Sequence, residues 1–179
     1  MPDFPPAFAA WSSRKLFALP IPASDLTDFP VEVPIVADAD IGGECLASGF
    51  DIRFTAEDGV TLLSYERESF AVAGGAATGV FWVKSNVSAA GTSVFCYYGN
   101  TAAADGENAT AVWDTNHKAV YHMKNDPDTT HIKDSTANAN NGTKPFAEGD
   151  IAITTCDSLA DWTGTLLALE PTDKKEGTG

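Results

Sequence analysis

"GFDIRFTAEDGVTLLSYERESF", residues Gly49–Phe70, is the stretch that decides the fold. Apolar and charged residues alternate at its start, which is the period of a strand with one buried face. Asp58 and Gly59 then supply a hairpin turn, and the residues after them are predicted to form the return strand. The pattern places Asp51 and Arg53 on the outward face as a surface ion pair, and leaves a buried, hydrogen-bonded Asp51 as the alternative.

Short strand-like segments separated by turn residues continue on both sides of this hairpin. They are Trp11–Pro22, Ser24–Val36, Thr78–Ser85 and Thr92–Asn100. The prolines within the second of these segments predict an edge strand, because proline cannot donate a ladder hydrogen bond. The regular spacing predicts an all-β fold, an antiparallel β-sandwich of jelly-roll-like type.

The chain is expected to have four parts. Residues 1–10, with three prolines, are expected to form an extended arm that is ordered by a neighbouring subunit if it is ordered at all. Residues 11–104 are the predicted sandwich and 105–148 an irregular acidic connector, while 149–179 resemble the opening of a further β module that continues past Gly179. We therefore expect the sequence to be the N-terminal part of a longer polypeptide.

The charge balance and the cysteines narrow the classes of function. The chain has 11 basic and 25 acidic residues, a formal charge of −14, which disfavours nucleic-acid and anionic-membrane partners. No stretch reaches the roughly 20 apolar residues of a membrane span, and the first residues lack a signal-peptide pattern. Three cysteines with wide spacing predict neither a zinc site nor a disulfide framework, although a bridge between Cys45 and Cys96 stays open.

Few residues form a pattern that is typical of catalysis or metal binding. Paired carboxylates at Glu66 and Glu68 could suggest glycoside hydrolysis, but surface or turn positions are the preferred interpretation of the acidic side chains. No nucleophile, zinc-protease or phosphate-loop motif is present. The histidines lack helical metal spacing and are expected at the surface or packed, with a metal triad as the alternative; they are His117, His122 and His131.

A metal ion is expected, if anywhere, in one polar loop. Calcium could be held there by carboxylates and carbonyl oxygens, the calcium candidates being Asp126, Asp128 and Asp134. No other cofactor is suggested by the sequence. Tryptophan faces could stack on sugar rings, but burial is the preferred interpretation for each of Trp11, Trp82, Trp113 and Trp162.

The chain resembles a family of uncharacterised β-rich domains over about residues 11–100. The resemblance rests on linked motifs: "WSSR", "LTDFPV", "DIRFTAEDG", "FWVK" and "YYGN". Ser64 and Asn86 depart from the family, which usually has proline at both positions. The motif residues, to which the resemblance assigns a structural role, are Trp11, Arg14, Asp51, Arg53, Asp58, Gly59, Glu66, Trp82, Tyr97, Tyr98, Gly99 and Asn100.

That resemblance brings no catalytic activity with it, but it implies a setting. Members of the family sit beside concanavalin A-like lectin domains in large surface, secreted or virion proteins, and Ala111–Thr143 is similar to the first part of such a lectin-like domain. The expected function is a non-enzymatic structural or adhesive module of an oligomeric assembly, above all a virion part such as a phage tail fibre, head fibre or capsid decoration. Its expected partners are other structural proteins and surface glycans.

Two alternatives place the chain outside the cell or at the cell surface. One is a carbohydrate-binding module, which an export signal upstream in the full gene would favour. The other is an accessory domain of a polysaccharide-degrading enzyme, which predicts a catalytic module downstream.

Overall fold

The computed structural model describes residues 4–123, 128 and 130–144, and these residues form short elements joined by turns. In chain order they are a 3₁₀ helix (Pro6–Phe8), β1 (Ser13–Ala18), β2 (Leu26–Asp38), α1 (Ala39–Glu44), β3 (Arg53–Thr55), β4 (Leu62–Leu63), β5 (Tyr65–Ala73), β6 (Ala76–Val87), β7 (Ser93–Tyr98), α2 (Ala109–Val112), β8 (His131–Ile132) and β9 (Gly142–Thr143).

The strands build an antiparallel β-sandwich, so the predicted all-β fold is confirmed. One sheet, here sheet A, has the strand order β1-β7-β3-β4, and the other, sheet B, has the order β2-β6-β5. Strands β8 and β9 form a separate antiparallel pair. The strand pairs β1–β7, β2–β6 and β5–β6 are all antiparallel, as expected for strands that are joined by turns.

Aromatic side chains fill the space between the two sheets. Phe54 from sheet A lies 5.3 Å from Phe81 and 5.5 Å from Tyr65, both of sheet B, measured between ring centroids. All three rings are buried. Each large apolar side chain buried in this way contributes about 1.5–3 kcal/mol, so the inter-sheet layer is the main source of stability.

The predicted hairpin is present, but its return strand is divided between the two sheets. The carboxylate of Asp58 accepts hydrogen bonds from the backbone of Val60 and Thr61, and Gly59 has the positive φ of +73° that the turn needs. Of the predicted return strand, only the β4 part pairs with β3; after Ser64 the chain crosses over, and β5 pairs with β6 in sheet B. The prediction of one continuous return strand is therefore wrong.

Strand β2 lies at the edge of sheet B, as its prolines predict. Pro30 and Pro34 are opposite Lys84 and Val80 of β6 in the register of the pair. Because a proline has no N–H, both residues fit only where the strand needs no donor. They also leave fewer donors on the open edge, which disfavours the addition of another strand.

The N-terminal residues pack on their own sandwich, and the expectation of an arm ordered by another subunit is wrong for the described part. Phe8 is buried, and its ring stacks on Tyr97 of β7 with a centroid distance of 4.2 Å. Phe4 meets the same tyrosine edge-on at 5.4 Å. Pro5 and Pro6 start the 3₁₀ helix rather than an extended segment, because proline is preorganised for the first helical positions.

Two of the cysteines are free thiols, which closes the question of a bridge between Cys45 and Cys96. Burial raises the pKa of the Cys45 thiol to about 11, and the nearby Asp51 carboxylate adds to the shift. Within the described residues no helix is long and apolar enough to cross a membrane. The predicted further module at 149–179, Cys156, Trp162 and Asp126 all lie outside the described residues.

Candidate functional site

Asp51 is completely buried, so the prediction of an outward Asp51–Arg53 ion pair is wrong and the alternative of a buried, hydrogen-bonded Asp51 is confirmed. Strand β3 begins only at Arg53, and Asp51 belongs to the turn before it. Its two carboxylate oxygens accept hydrogen bonds from the backbone N–H groups of Leu46 (2.9 Å) and Gly99 (2.8 Å). The guanidinium of Arg53 instead donates to carbonyl oxygens, including that of Ala104 at 2.6 Å.

The motif residues near Asp51 contact one another. The indole N–H of Trp11 donates to the Asp51 carbonyl oxygen at 2.6 Å, and the Arg53 guanidinium lies 5.6 Å from the centre of the Trp11 ring. Gly99 has a φ of +86°, and a Cβ there would lie 1.9 Å from the Ser12 hydroxyl oxygen. A residue other than glycine would therefore displace the amide that Asp51 binds.

A second group of motif residues surrounds the hairpin turn. Arg14 donates to the Tyr97 hydroxyl at 2.9 Å and lies over the Phe95 ring, 4.3 Å from its centroid. Tyr97 in turn donates to the Gly59 carbonyl oxygen at 2.8 Å. The structural role that the motif assigns to Arg14, Gly59 and Tyr97 thus consists of fixing the hairpin against strand β7. Tyr98 is buried, and Asn100 accepts a bond from the Ala102 amide.

Glu66 is the buried carboxylate of the opposite sheet, and the prediction of a surface or turn position is wrong for it. It is 0% exposed. Its carboxylate accepts from the indole N–H of Trp113 at 2.6 Å and from the hydroxyl of Ser135 by a short hydrogen bond. His122 approaches the same carboxylate with Nε2 at 3.1 Å. These donors come from positions far apart in the chain, and all of them lie after the last long strand.

A β-bulge in strand β5 brings a second carboxylate to the same imidazole. Arg67 is opposite Phe81 and Ser69 opposite Val80, so the register of the pair shifts at Glu68. Its carboxylate accepts from the Trp82 indole N–H at 2.9 Å and lies 3.1 Å from Nδ1 of His122. We call the following residues the Glu66 cluster: Glu66, Glu68, Trp82, Trp113, His122 and Ser135.

The side chain of His122 lies between the two carboxylates of the cluster. Each ring nitrogen of His122 faces an oxygen of a different carboxylate, and the side chain is 6% exposed. A neutral imidazole has one N–H, so only the doubly protonated ring can donate to both carboxylates. One imidazole thus bridges two carboxylates in a site that water hardly reaches.

The electrostatics of Glu66 favour its ionised form. Burial by itself would raise the pKa of this carboxyl group, but the hydrogen bonds from His122, Ser135 and Trp113 outweigh that effect and the pKa lies below the usual 4.5. An ionised carboxylate accepts hydrogen bonds and does not donate protons at neutral pH. Glu66 is thus unsuited to act as a general acid in the folded protein.

The geometry of the cluster differs from known catalytic arrangements. In a serine triad the histidine bonds the serine hydroxyl, whereas the Ser135 hydroxyl bonds Glu66 and the two nitrogens of His122 face carboxylates. In a glycosidase two carboxyl groups flank an open cleft, whereas one imidazole fills the space between Glu66 and Glu68. Ser135 is 1% exposed, so a substrate has no access to its oxygen. What the cluster can do chemically is hold Trp113, His122 and Ser135 on the outer face of sheet B. We call the described residues 113–123 and 130–136 the covering segment.

The polar loop proposed for calcium has its carboxylates engaged within the protein. Asp134 accepts bonds from the Val120 and Thr136 amides on one oxygen and from the Thr136 hydroxyl and the Asn140 amide on the other. Burial would raise its pKa, but these bonds lower it. Asp128 accepts from His131 and Thr130, which lowers its pKa. Among the described residues, no three His, Cys, Asp or Glu side chains are placed to hold a metal ion.

The three histidines do not converge. His117 pairs with Asp114 and His131 with Asp128, each three residues away, while His122 alone enters the cluster. Trp113 is 8% exposed and Trp82 and Trp11 are half-buried, which agrees with the preference for burial over sugar contact.

Sequence reasoning missed the partners of Glu66. The carboxylate is 47 residues from Trp113 and 69 from Ser135, and no local pattern connects positions so far apart. The one available signal was the position of Glu66 beside the buried Tyr65 in a strand whose outer face had no assigned cover.

The class of protein is thus an all-β sandwich whose outer face on sheet B is covered by a following segment held through buried polar groups. Residues 48–136 match the family model of a domain of unknown function (DUF2341). Over these residues the chain is similar to an uncharacterised domain family, which confirms the predicted resemblance in this coarse form. Comparison with curated proteins finds no match, and neither does comparison with solved structures.

The matched range has a bearing on the cluster. It begins after strands β1 and β2 and ends at Thr136, so it contains every residue of the Glu66 cluster as well as Asp51. It also crosses residue 104, where the sequence analysis separates the sandwich from a connector. The division at that residue stays a prediction, but strand β5 and the segment that covers it lie within one matched range.

Proposed function

We propose that this chain is a non-enzymatic structural and adhesive module of a larger assembly. The observation that carries the proposal is the burial of the Glu66 cluster, which among the described residues is the group of side chains that most resembles a catalytic site. Glu66 is 0% and Ser135 1% exposed, and their polar atoms bind other side chains of the same domain. Such a network stabilises a fold and offers no place for a reacting group.

The assembly that we favour is a virion, with the chain as part of a tail fibre, a head fibre or a capsid decoration. The acidic surface, with its formal charge of −14, and the resemblance to domains found beside lectin-like modules support this setting. The partners would be other structural proteins and surface glycans, in an oligomer. An extracellular or cell-surface location is the alternative for the same module.

The absence of chemistry is tested by incubating the full chain with a panel of polysaccharides. We expect no release of reducing ends above that of heat-denatured protein. A matched pair of variants, Glu66→Gln and the exposed Glu57→Gln, separates a cluster effect from a change of net charge. Reproducible product release that is lost in Glu66→Gln and kept in Glu57→Gln would overturn the proposal.

The setting is tested on particles from the source of the sequence. Lysates are separated on a density gradient, and peptides of this chain are quantified in each fraction by mass spectrometry. We expect the peptides to co-sediment with the particles in a fixed ratio to their major protein. Peptides that stay entirely in the soluble fractions would contradict a structural role in a virion.

Carbohydrate binding is a second candidate because of a hollow of about 380 Å³ beside the cluster. Its lining includes Trp113, Asp114 and Asn138, the residue types that bind sugars. The side-chain amide of Asn138 already donates to the His117 and Lys118 carbonyl oxygens, and little of Trp113 is exposed. Titration with glycans decides this: saturable binding that Asp114→Ala removes would favour a lectin-like function.

A further inference from the structure

Two apolar hollows lie next to each other along the open edge of the sandwich. One, of about 380 Å³, is lined by residues that include Phe17, Val33 and Pro34. The other, of about 300 Å³, is lined by residues that include Ile21 and Phe29. Pro20 and Glu32 line both, so the hollows form one groove divided in the middle; we call it the edge groove.

The edge groove exposes more apolar surface than an isolated side chain does. Ile21 is 68% and Phe29 46% exposed, and both line the same hollow. Contiguous exposed apolar surface bounded by polar residues marks interaction sites on soluble proteins. Pro30 and Pro34 of strand β2 cannot donate hydrogen bonds, so an occupant would be held by side-chain contacts rather than by joining the sheet.

The charge of the groove selects the chemistry of its occupant. Among the described residues lining the two hollows, Glu32 is the one charged residue, and it is exposed. Its carboxylate forms no ion pair or hydrogen bond with the described part of the chain. A second copy of the chain would bring another formal charge of −14 to this carboxylate. Charge complementarity therefore favours a different protein that supplies a basic residue.

We propose that the edge groove binds an extended segment of another protein, with two apolar side chains on either side of a lysine or arginine. Along β2 one hollow is lined between Leu26 and Glu32 and the other between Glu32 and Pro34, so the midpoints of the two stretches are about four residues, or about 13 Å, apart at 3.3 Å per residue. Residues i, i+2 and i+4 of an extended segment point to the same side at that spacing. The apolar residues at i and i+4 fill the hollows, and the basic residue at i+2 meets Glu32. This inference names a partner chemistry for the assembly module proposed above and rests on that function.

The test uses the full chain and two labelled peptides, Thr-Leu-Thr-Lys-Thr-Leu-Thr and its counterpart with glutamate in place of lysine. Fluorescence anisotropy should show saturable binding of the lysine peptide and binding of the glutamate peptide that is at least about fivefold weaker. The variant Glu32→Lys should reverse this preference. The variant Glu57→Lys changes the net charge equally at an exposed turn, and should leave the preference unchanged. Ile21→Ser should weaken both peptides.

Each remaining outcome overturns the inference. No saturation by the lysine peptide at 1 mM means that the groove does not take this chemistry. Equal effects of Glu32→Lys and Glu57→Lys mean that only overall charge matters. Sedimentation that shows a dimer of the chain, dissociated by Ile21→Ser, identifies a second copy as the occupant. Because the polysaccharide and particle experiments do not involve the groove, they can support the structural function when this inference fails.

Discussion

Asp51 and Glu66 are both completely buried carboxylates, yet they hold the molecule together in different ways. Asp51 accepts from the backbone amides of Leu46 and Gly99, two turns that enter and leave sheet A. Glu66 accepts from side chains, those of Trp113 and Ser135, with His122 beside them. One carboxylate fixes loops of the sandwich; the other fixes a later segment to its outer face.

The difference determines what each site requires of the sequence. Backbone amides are present at nearly every residue, so Asp51 depends mainly on the path of the chain and on the glycine conformation at 99. The donors of Glu66 are specific side chains, and replacing any of them leaves a buried polar group without its partner. We infer that the covering segment is the more easily disrupted part, and the predictions below compare the two sites in order of expected effect.

The largest effect is expected for Glu66→Ala. The substitution removes the anion and leaves the Trp113 N–H, the Ser135 hydroxyl and Nε2 of His122 without their partner. Breaking a buried charged network of this kind costs about 3–5 kcal/mol. Urea denaturation followed by tryptophan fluorescence measures it. The control Glu57→Ala, in an exposed turn, should change the free energy of unfolding by less than about 0.5 kcal/mol. Equal effects of the two variants would argue against a stabilising role of the Glu66 cluster.

A somewhat smaller loss of stability is expected for Phe8→Ala, at the end of the molecule where Asp51 lies. Phe8 is buried on Tyr97 and contacts Trp11, whose indole N–H binds the Asp51 carbonyl oxygen. Removing a buried aromatic ring from such a site costs about 3 kcal/mol. The melting temperature of the isolated chain reports the loss. An unchanged melting temperature would restore the interpretation of an arm that docks only on a neighbour.

The third prediction concerns Asp51→Asn, which should lower the free energy of unfolding by about 1–3 kcal/mol. The amide group of asparagine would replace one acceptor oxygen, and its N–H groups would face the N–H of either Leu46 or Gly99. One hydrogen bond is lost and a repulsive contact takes its place. Denaturant unfolding gives the value, and the measurement should be compared with Glu66→Gln in the same buffer. A cost below about 0.5 kcal/mol would show that Asp51 is not the anchor of these two turns.

These two sites also show how far the sequence could be interpreted. Alternation and the Asp58-Gly59 turn predicted the strands, because both signals are local. The sheet change after Ser64 was missed, because it depends on which partner strand is nearest in space. A buried Asp51 remained an alternative, because its donors lie in turns next to the strands. The donors of Glu66 could not be predicted, because three side chains converge across more than 40 residues.

A fourth prediction concerns the stability of the fold at low pH. The folded-state pKa of Glu66 is below 4.5, so its ionisation stabilises the fold above that pH, and the contribution is lost as the pH falls through the folded-state pKa. The stability difference between the wild type and Glu66→Gln should therefore be constant near neutral pH and shrink from about pH 4.5 downward. Thermal melts of both proteins between pH 7 and pH 3 check it; a difference that grows in acid would contradict the lowered pKa.

The smallest effect is expected from removing calcium. Both oxygens of Asp134 are bonded to protein donors, so the loop gains little from an ion at that position. The melting temperature should change by less than about 1 °C when a chelator replaces 1 mM calcium. A calcium site at a hundredfold excess of the ion over its dissociation constant would instead stabilise the fold by about 2.7 kcal/mol. A shift of several degrees that is lost in Asp128→Asn would instead support a calcium site.

The central claim is that Glu66 fixes the covering segment to sheet B, and amide hydrogen exchange tests it most directly. In the wild type the Val120 amide donates to the Asp134 carboxylate, and the Ser135 amide donates to the Val120 carbonyl oxygen. Both amides should therefore be protected from exchange. In Glu66→Ala these amides should exchange faster by tenfold or more, while those of strand β6 keep more of their protection. Unchanged protection of the segment in Glu66→Ala would contradict the claim.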